Sequence, residues 1–188
     1  MFMKGRTTLF VIIGVLAFAL LWLGSNYNGF VSGSEAVDNA WAQVETQYQR
    51  RFDLVPNLVE TVKGAARFEQ ETFTEVTQAR TQWQSAGTPD AKIAAAQGFE
   101  SAFARLLVTF ENYPQLKATE AYRDLLTQLE GTENRIAVAR RDFNEAARAY
   151  NVRVKRFPSN LLARLFGFEP RVFFEAAEGA ETAPAIDF

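Results

Sequence analysis

The chain contains no cysteine and no histidine. The first absence excludes disulfides, thiolate zinc sites and cysteine nucleophiles. The second removes the side chain most often used as a general base near neutral pH, and the commonest metal ligand. An excess of charge of one sign is lacking as well: the formal net charge is −2, which leaves no basic footprint for nucleic acid. There is no glycine-rich phosphate loop, since Gly64 and Gly87 stand alone. No serine has an evident base beside it. At 188 residues there is room for one anchor and one domain.

What the chain does have begins at its N-terminus. Lys4 and Arg6 precede an unbroken apolar run from Leu9 to Leu23, and no charged residue occurs from Thr7 through Ser34. A bilayer core of about 30 Å needs roughly 20 helical residues. Residues 7–27 supply them as a transmembrane helix, with Trp22 and Tyr27 placed for one interface. The rival reading is a cleaved signal peptide, for which Ser34-Glu-Ala36 offers only a poor cleavage site. Basic residues before the span, and Glu35, Asp38 and Glu45 after it, put residues 1–6 in the cytoplasm and export the rest. Residues 28–34, within a Gly/Ser/Asn-rich run that starts at Gly24, read as a linker.

Beyond the linker the pattern is helical. Val37, Trp41, Val44, Tyr48, Phe52, Val55, Val59 and Val62 follow steps of three and four, a stripe close to the repeat of packed coils. It continues less cleanly through Ala66, Phe73, Val76 and Trp83 to a stop at Gly87 and Pro89. Pro56 lies inside it and removes one helical hydrogen bond. A chain reversal there and a bent helix are both open, and the unbroken apolar phase favours one kinked helix from Glu35 to Gln84. Thr88-Pro89-Asp90 starts a second helix, with Ile93, Ala96, Phe99, Phe103, Leu106, Leu107 and Phe110 on one face. A third begins near Ala118 and carries Tyr122, Leu125, Leu129, Ile136, Ala139, Phe143, Ala147, Tyr150, Val154 and Phe157 to a stop at Pro158. The expected fold is all-α: the transmembrane helix, then an elongated antiparallel, up-down bundle of three to four long helices over residues 35–157. Residues 158–188 form a tail in which 161–166 makes a short helix and the C-terminus is loose.

Three polar clusters stand out. One surrounds the proline: Arg50, Arg51, Asp53, Asn57, Glu60 and Lys63. The second is Glu133, Asn134 and Arg135, with Arg140 and Arg141 nearby. The third is Asn144 and Asn151, seven residues apart and so on one side of a helix. Charges at helical spacing are ordinarily a solvated face, and asparagine at a seam ordinarily fixes register between helices. The functional alternative is a groove at the Pro56 kink that takes a partner. Glu69, Glu71 and Glu75, with Glu71 and Glu75 four residues apart, are the carboxylates that could in principle serve acid/base or metal chemistry. Without histidine the di-metal bundle pattern is missing, so neither a metal nor a cofactor is expected.

Several segments carry a family resemblance. Gln49-Arg-Arg-Phe-Asp-Leu-Val-Pro-Asn-Leu-Val-Glu-Thr-Val-Lys-Gly64 is the most specific, supported by Ala40-Trp-Ala-Gln-Val44, Tyr113-Pro-Gln-Leu-Lys117, Thr132-Glu-Asn-Arg-Ile136, Phe157-Pro158, Phe166-Gly-Phe168 and Ala183-Pro-Ala-Ile-Asp-Phe188. Together they resemble the LemA family over nearly the whole chain, anchor included. The resemblance implies a bacterial membrane protein with an extended helical bundle, among relatives linked to magnetosome membrane formation and envelope maintenance. It implies no catalytic residue. Phe68 stands where many members have histidine, and Phe143-Asn144 where they often have Tyr-Asn, while Tyr150-Asn151 keeps the pair.

The function expected from these features is a non-enzymatic envelope scaffold of the bacterial inner membrane, with the membrane, envelope proteins or further copies of itself as partners and no nucleic acid. Membrane remodelling through the aromatic Phe166–Phe174 segment is the alternative. It is disfavoured by the net acidity of the chain beyond the anchor. A carboxylate enzyme built on Glu69, Glu71 and Glu75 ranks last.

Overall fold

The computed structural model describes residues 3–63, 70–111 and 119–175, with side chains described over 8–61, 71–110 and 119–175. Among the described residues the chain is entirely helical and irregular, with no strand. The helices are α1 (Met3–Lys63), α2 (Gln70–Ser85), α3 (Pro89–Glu111), α4 (Glu120–Lys155) and α5 (Ser159–Phe166). They form two compact units, one of Met1–Ala40 with Glu145–Arg171, the other of Trp41–Asn144 with Val172–Phe188. The C-terminal residues expected to be loose, the Gly64–Glu69 stretch that includes Phe68, and Asn112-Tyr113-Pro114 lie outside the described residues.

In the first unit, α1 begins as a lipid-type helix. Leu9, Phe10, Val11, Ile12, Ile13, Val15, Leu16, Phe18, Leu20 and Leu21 are all exposed, and this stretch is long and apolar enough to cross a membrane. The expected linker is not one, because α1 runs helically through residues 24–34 and past Ser34-Glu35. Packing explains the difference. Phe30 is fully buried, and Gly29 and Gly33, one helical turn apart, let α4 approach. A Cβ at Gly33 would stand 3.1 Å from Cδ2 of Tyr150, and one at Gly29 would meet the Arg153 guanidinium. Polar side chains bond back onto the helix: Asn26 Nδ2 donates to the Trp22 carbonyl at 2.8 Å. The order of these contacts, 29 with 153 and 33 with 150, makes α4 antiparallel to α1 here.

At the end of α5, Gly167 adopts φ 76°, the left-handed cap that glycine takes without penalty. The Phe168 N–H then closes on the Ala163 carbonyl at 2.8 Å, and Phe168 turns back onto Phe30 at 5.0 Å between ring centroids. Phe157 departs from the expected α4 stripe. α4 ends at Lys155, before the stripe reaches it, and Phe157 is 76 % exposed.

In the second unit, α1 passes through Pro56 without reversing. The proline ring side is exposed, where the lost carbonyl bond can be met by water. The single helix expected to reach Gln84 does not form. Phe52 lies 5.1 Å from Trp83, and Tyr48 stacks on Trp83 at 5.3 Å. These pairs are more than thirty residues apart in sequence, about 45 Å along a straight helix, so α2 has turned back on α1. Trp83 is buried against α1 in exchange. Between α2 and α3, Thr88 Oγ1 accepts the Ala91 N–H at 3.2 Å, capping α3 with Pro89 in its first turn as expected. Glu75 of α2 then pairs with Arg105 of α3 at 2.9 Å. Arg51 and Tyr48 of α1 meet Glu133 and Arg140 of α4 in reverse order. Neighbours in these pairs therefore alternate in direction. The expected stripes line the core: Val44, Tyr48, Phe52, Val55 and Val59 of α1, Phe99, Phe103, Leu106 and Phe110 of α3, Ile136 and Phe143 of α4 are all buried.

Candidate functional site

Two of the polar clusters separate into different structures within the second unit. Arg51 is drawn inward. It is completely buried, with its guanidinium 5.2 Å from the Phe103 ring centroid. A cation in that position needs anions, and it has two: Nη1 donates to Glu100 Oε2 at 2.7 Å, and Nη2 pairs with Glu133. The other oxygen of Glu100 accepts from Arg140 Nη2 at 2.8 Å and from the Tyr48 hydroxyl at 3.2 Å. Arg140 also donates to that hydroxyl and lies over the Tyr48 and Phe174 rings. Burial, and then the Glu100 carboxylate, push the Tyr48 phenol well above its ordinary value. Tyr48 therefore stays a neutral donor through the physiological range. Residues 48, 51, 100, 133 and 140 make one network that ties α1, α3 and α4 together.

Sequence spacing singled out Arg51, Glu133 and Arg140, but in separate clusters. Glu100 was missed, and Tyr48 was read as core alone. The only available signal was that a lone carboxylate sits at Glu100 between Phe99 and Phe103, next to the buried stripe.

Arg50, Asp53 and Arg135 turn outward. On α1, Arg50, Asp53 and Leu54 line a groove of about 550 Å³. Its other wall is α4, with Thr127, Gln128, Gly131, Thr132 and Arg135. Gly131 leaves the wall low, because a Cβ there would meet nothing within 4 Å. Asp53 accepts from Gln49 Nε2 at 2.8 Å, and Thr132 donates to the Leu129 carbonyl at 2.7 Å. Arg50 and Arg135 have no ion-pair partner among the described residues. Asn57, Asn134 and Pro56 are exposed outside both structures, and the Lys63 side chain lies outside the described residues. Glu75 is held by Arg105, and no group of three acidic residues converges among the described residues.

The asparagines do something other than fix helix register. Asn151 gives its Nδ2 to the Arg171 carbonyl and takes the Arg171 N–H on Oδ1, each at 2.7 Å. In the other unit Asn144 does the same to Phe174, each at 2.9 Å. Two-point pairing requires the N–H and C=O of one residue to point the same way, as they do in extended chain. Each asparagine thus holds the segment after α5 against α4. Arg171 also donates to Ser34 at 3.0 Å and pairs with Asp38 at 3.2 Å. Beside it, burial raises the Tyr150 phenol above its ordinary value.

An exposed N-terminal helix long and apolar enough to cross a membrane, leading into packed helices, defines an α-helical protein with a candidate membrane span. The LemA family model matches residues 40–188, and the chain belongs to that family. It is similar to "Magnetosome protein MamQ 2" of Paramagnetospirillum magneticum, 29 % identical over 91 % of this chain and 72 % of the relative. It is similar also to MamQ of Magnetospirillum gryphiswaldense, 27 % identical over 95 % and 76 %, and to "Protein LemA" of Metamycoplasma hominis, 24 % identical over 90 % and 78 %.

Proposed function

We propose that this protein is a non-enzymatic interaction module of the bacterial envelope, anchored in the inner membrane with its N-terminus in the cytoplasm. Its working surface is the α1/α4 groove. The observation that carries this reading is the pair Arg50 and Arg135, two cations without ion-pair partners among the described residues, on a groove whose wall is lowered by Gly131. Such a surface suits a protein segment that presents a carboxylate beside apolar side chains, with Leu54 supplying the apolar contact. The network of Arg51, Glu100, Glu133 and Arg140 serves as the rigid backing that positions Arg50 and Arg135.

The test is photocrosslinking in living cells, with a photoreactive residue at Leu54 and, as control, at exposed Gln97 of α3. Leu54 should give a discrete adduct absent from Gln97 and lost when Arg50 and Arg135 are changed to Glu. The same adducts from both positions, or an adduct indifferent to the charge reversal, would remove the groove from consideration.

A further inference from the structure

α5 has a buried side and an apolar outer side. Ser159 and Ala163 are buried on the first. Leu161 and Leu165 lie about 200° around the helix from them at about 100° per residue, and are 58 % and 73 % exposed. Phe157, in the turn just before α5, is exposed as well. A surface helix bathed in water carries polar side chains there. Three large apolar groups that the described residues leave mostly uncovered call for another solvent.

The location of α5 says which. Phe166, its last residue, packs edge-on against Tyr27 at 5.2 Å, and Phe168 reaches the same ring at 5.8 Å. Tyr27 stands four residues beyond Leu23, the end of the apolar run, or about 6 Å along the helix. That is the depth of the lipid headgroups, where tyrosine settles. The aromatic contacts therefore hold α5 at the level of the bilayer surface.

Charge agrees. No acidic residue occurs between Glu145 and Glu169, while Arg148, Arg153, Lys155, Arg156 and Arg164 do. Lys155 and Arg164 line a groove of about 480 Å³ beside α5. The net acidity of the chain conceals this local cationic stretch.

We propose that α5 is a second, monotopic membrane contact: it lies in the interface next to the anchor, with Phe157, Leu161 and Leu165 in the acyl boundary and Lys155 and Arg164 on phospholipid phosphates. The proposal rests on the membrane reading of α1 and not on the α1/α4 groove, so a failed crosslink at Leu54 leaves it intact.

The absence of native cysteine allows single nitroxide labels in the full chain, reconstituted into vesicles of phosphatidylcholine with or without phosphatidylglycerol. Labels at Leu161→Cys and Leu165→Cys are compared with Leu16→Cys in the span and Asn39→Cys, exposed about 18 Å beyond Tyr27 on α1. Oxygen, which partitions into lipid, should relax the α5 labels as it does Leu16, with a water-soluble nickel chelate excluded. Phosphatidylglycerol should deepen them, and Lys155→Glu with Arg164→Glu should abolish that deepening. Labels that behave like Asn39, or that are shielded from both reagents as a protein cover would shield them, overturn the membrane contact. Depth indifferent to phosphatidylglycerol overturns the phosphate contact.

Discussion

Arg51 carries a charge that water does not reach, whereas Glu133, one of its two partners, is 56 % exposed. The two ends of one ion pair should therefore respond very differently to mutation. Arg51→Ala leaves Glu100 short of its nearest cation in a partly buried site and should cost roughly 3–5 kcal/mol, as breaking a buried pair does. Glu133→Gln removes a carboxylate that water can replace and should cost less than about 1 kcal/mol. Urea unfolding in detergent, followed by helical circular dichroism, measures both, and equal losses would mean that Arg51 does not depend on burial. At this scale the sequence was half informative. Arg51 stood out only as a member of the polar cluster around Pro56, where helical spacing leads to the expectation of a solvated face, whereas the structure buries it completely. Glu100 did not stand out, since a single glutamate in an alanine-rich helix looks like solvated surface until tertiary packing brings Arg51 and Arg140 to it.

Glycine has opposite meanings in different helices. Gly98, in the interior of α3, has open space around it, so Gly98→Ala should stabilise the protein by up to about 1 kcal/mol through helix propensity alone. Gly33 lies against the Tyr150 ring, and Gly33→Val should destabilise by about 1–3 kcal/mol through overpacking. Thermal unfolding of the two variants should shift in opposite directions. This contrast explains why residues 24–34 were misread. Composition reports that glycine, serine and asparagine are abundant there, but not that a second helix more than a hundred residues away needs their small volume. The turn-back after Lys63 escaped for a related reason: the apolar phase on either side of Gly64 is the same whether the chain continues or folds over. The α2–α3 turn was legible because Gly87, Thr88 and Pro89 are local signals with local causes.

For the molecule as a whole, the exposed apolar N-terminal helix was the most legible feature, because an apolar run of that length with no charge announces itself in the sequence. Its proposed direction rests on residues adjacent to the span. Lys4 and Arg6 precede it, and the cationic stretch from Arg148 to Arg164, though it packs near Tyr27, is too distant in sequence to act while α1 inserts. A cysteine at Asn39 should therefore react with a membrane-impermeant maleimide in intact cells, and one at Gly5 only after permeabilisation; the reverse pattern would invert the topology. What sequence could not convey is how the stretch from Arg171 to Phe174 is held. Extended chain with free N–H and C=O groups is a template for foreign strands, and it is also the form in which proteases read a substrate. Arg171 and Phe174 have already spent both backbone groups on Asn151 and Asn144. The stretch from Arg171 to Phe174 thus presents a cleavable shape already occupied from within, and a protease would have to break an asparagine pairing before it could begin to bind there.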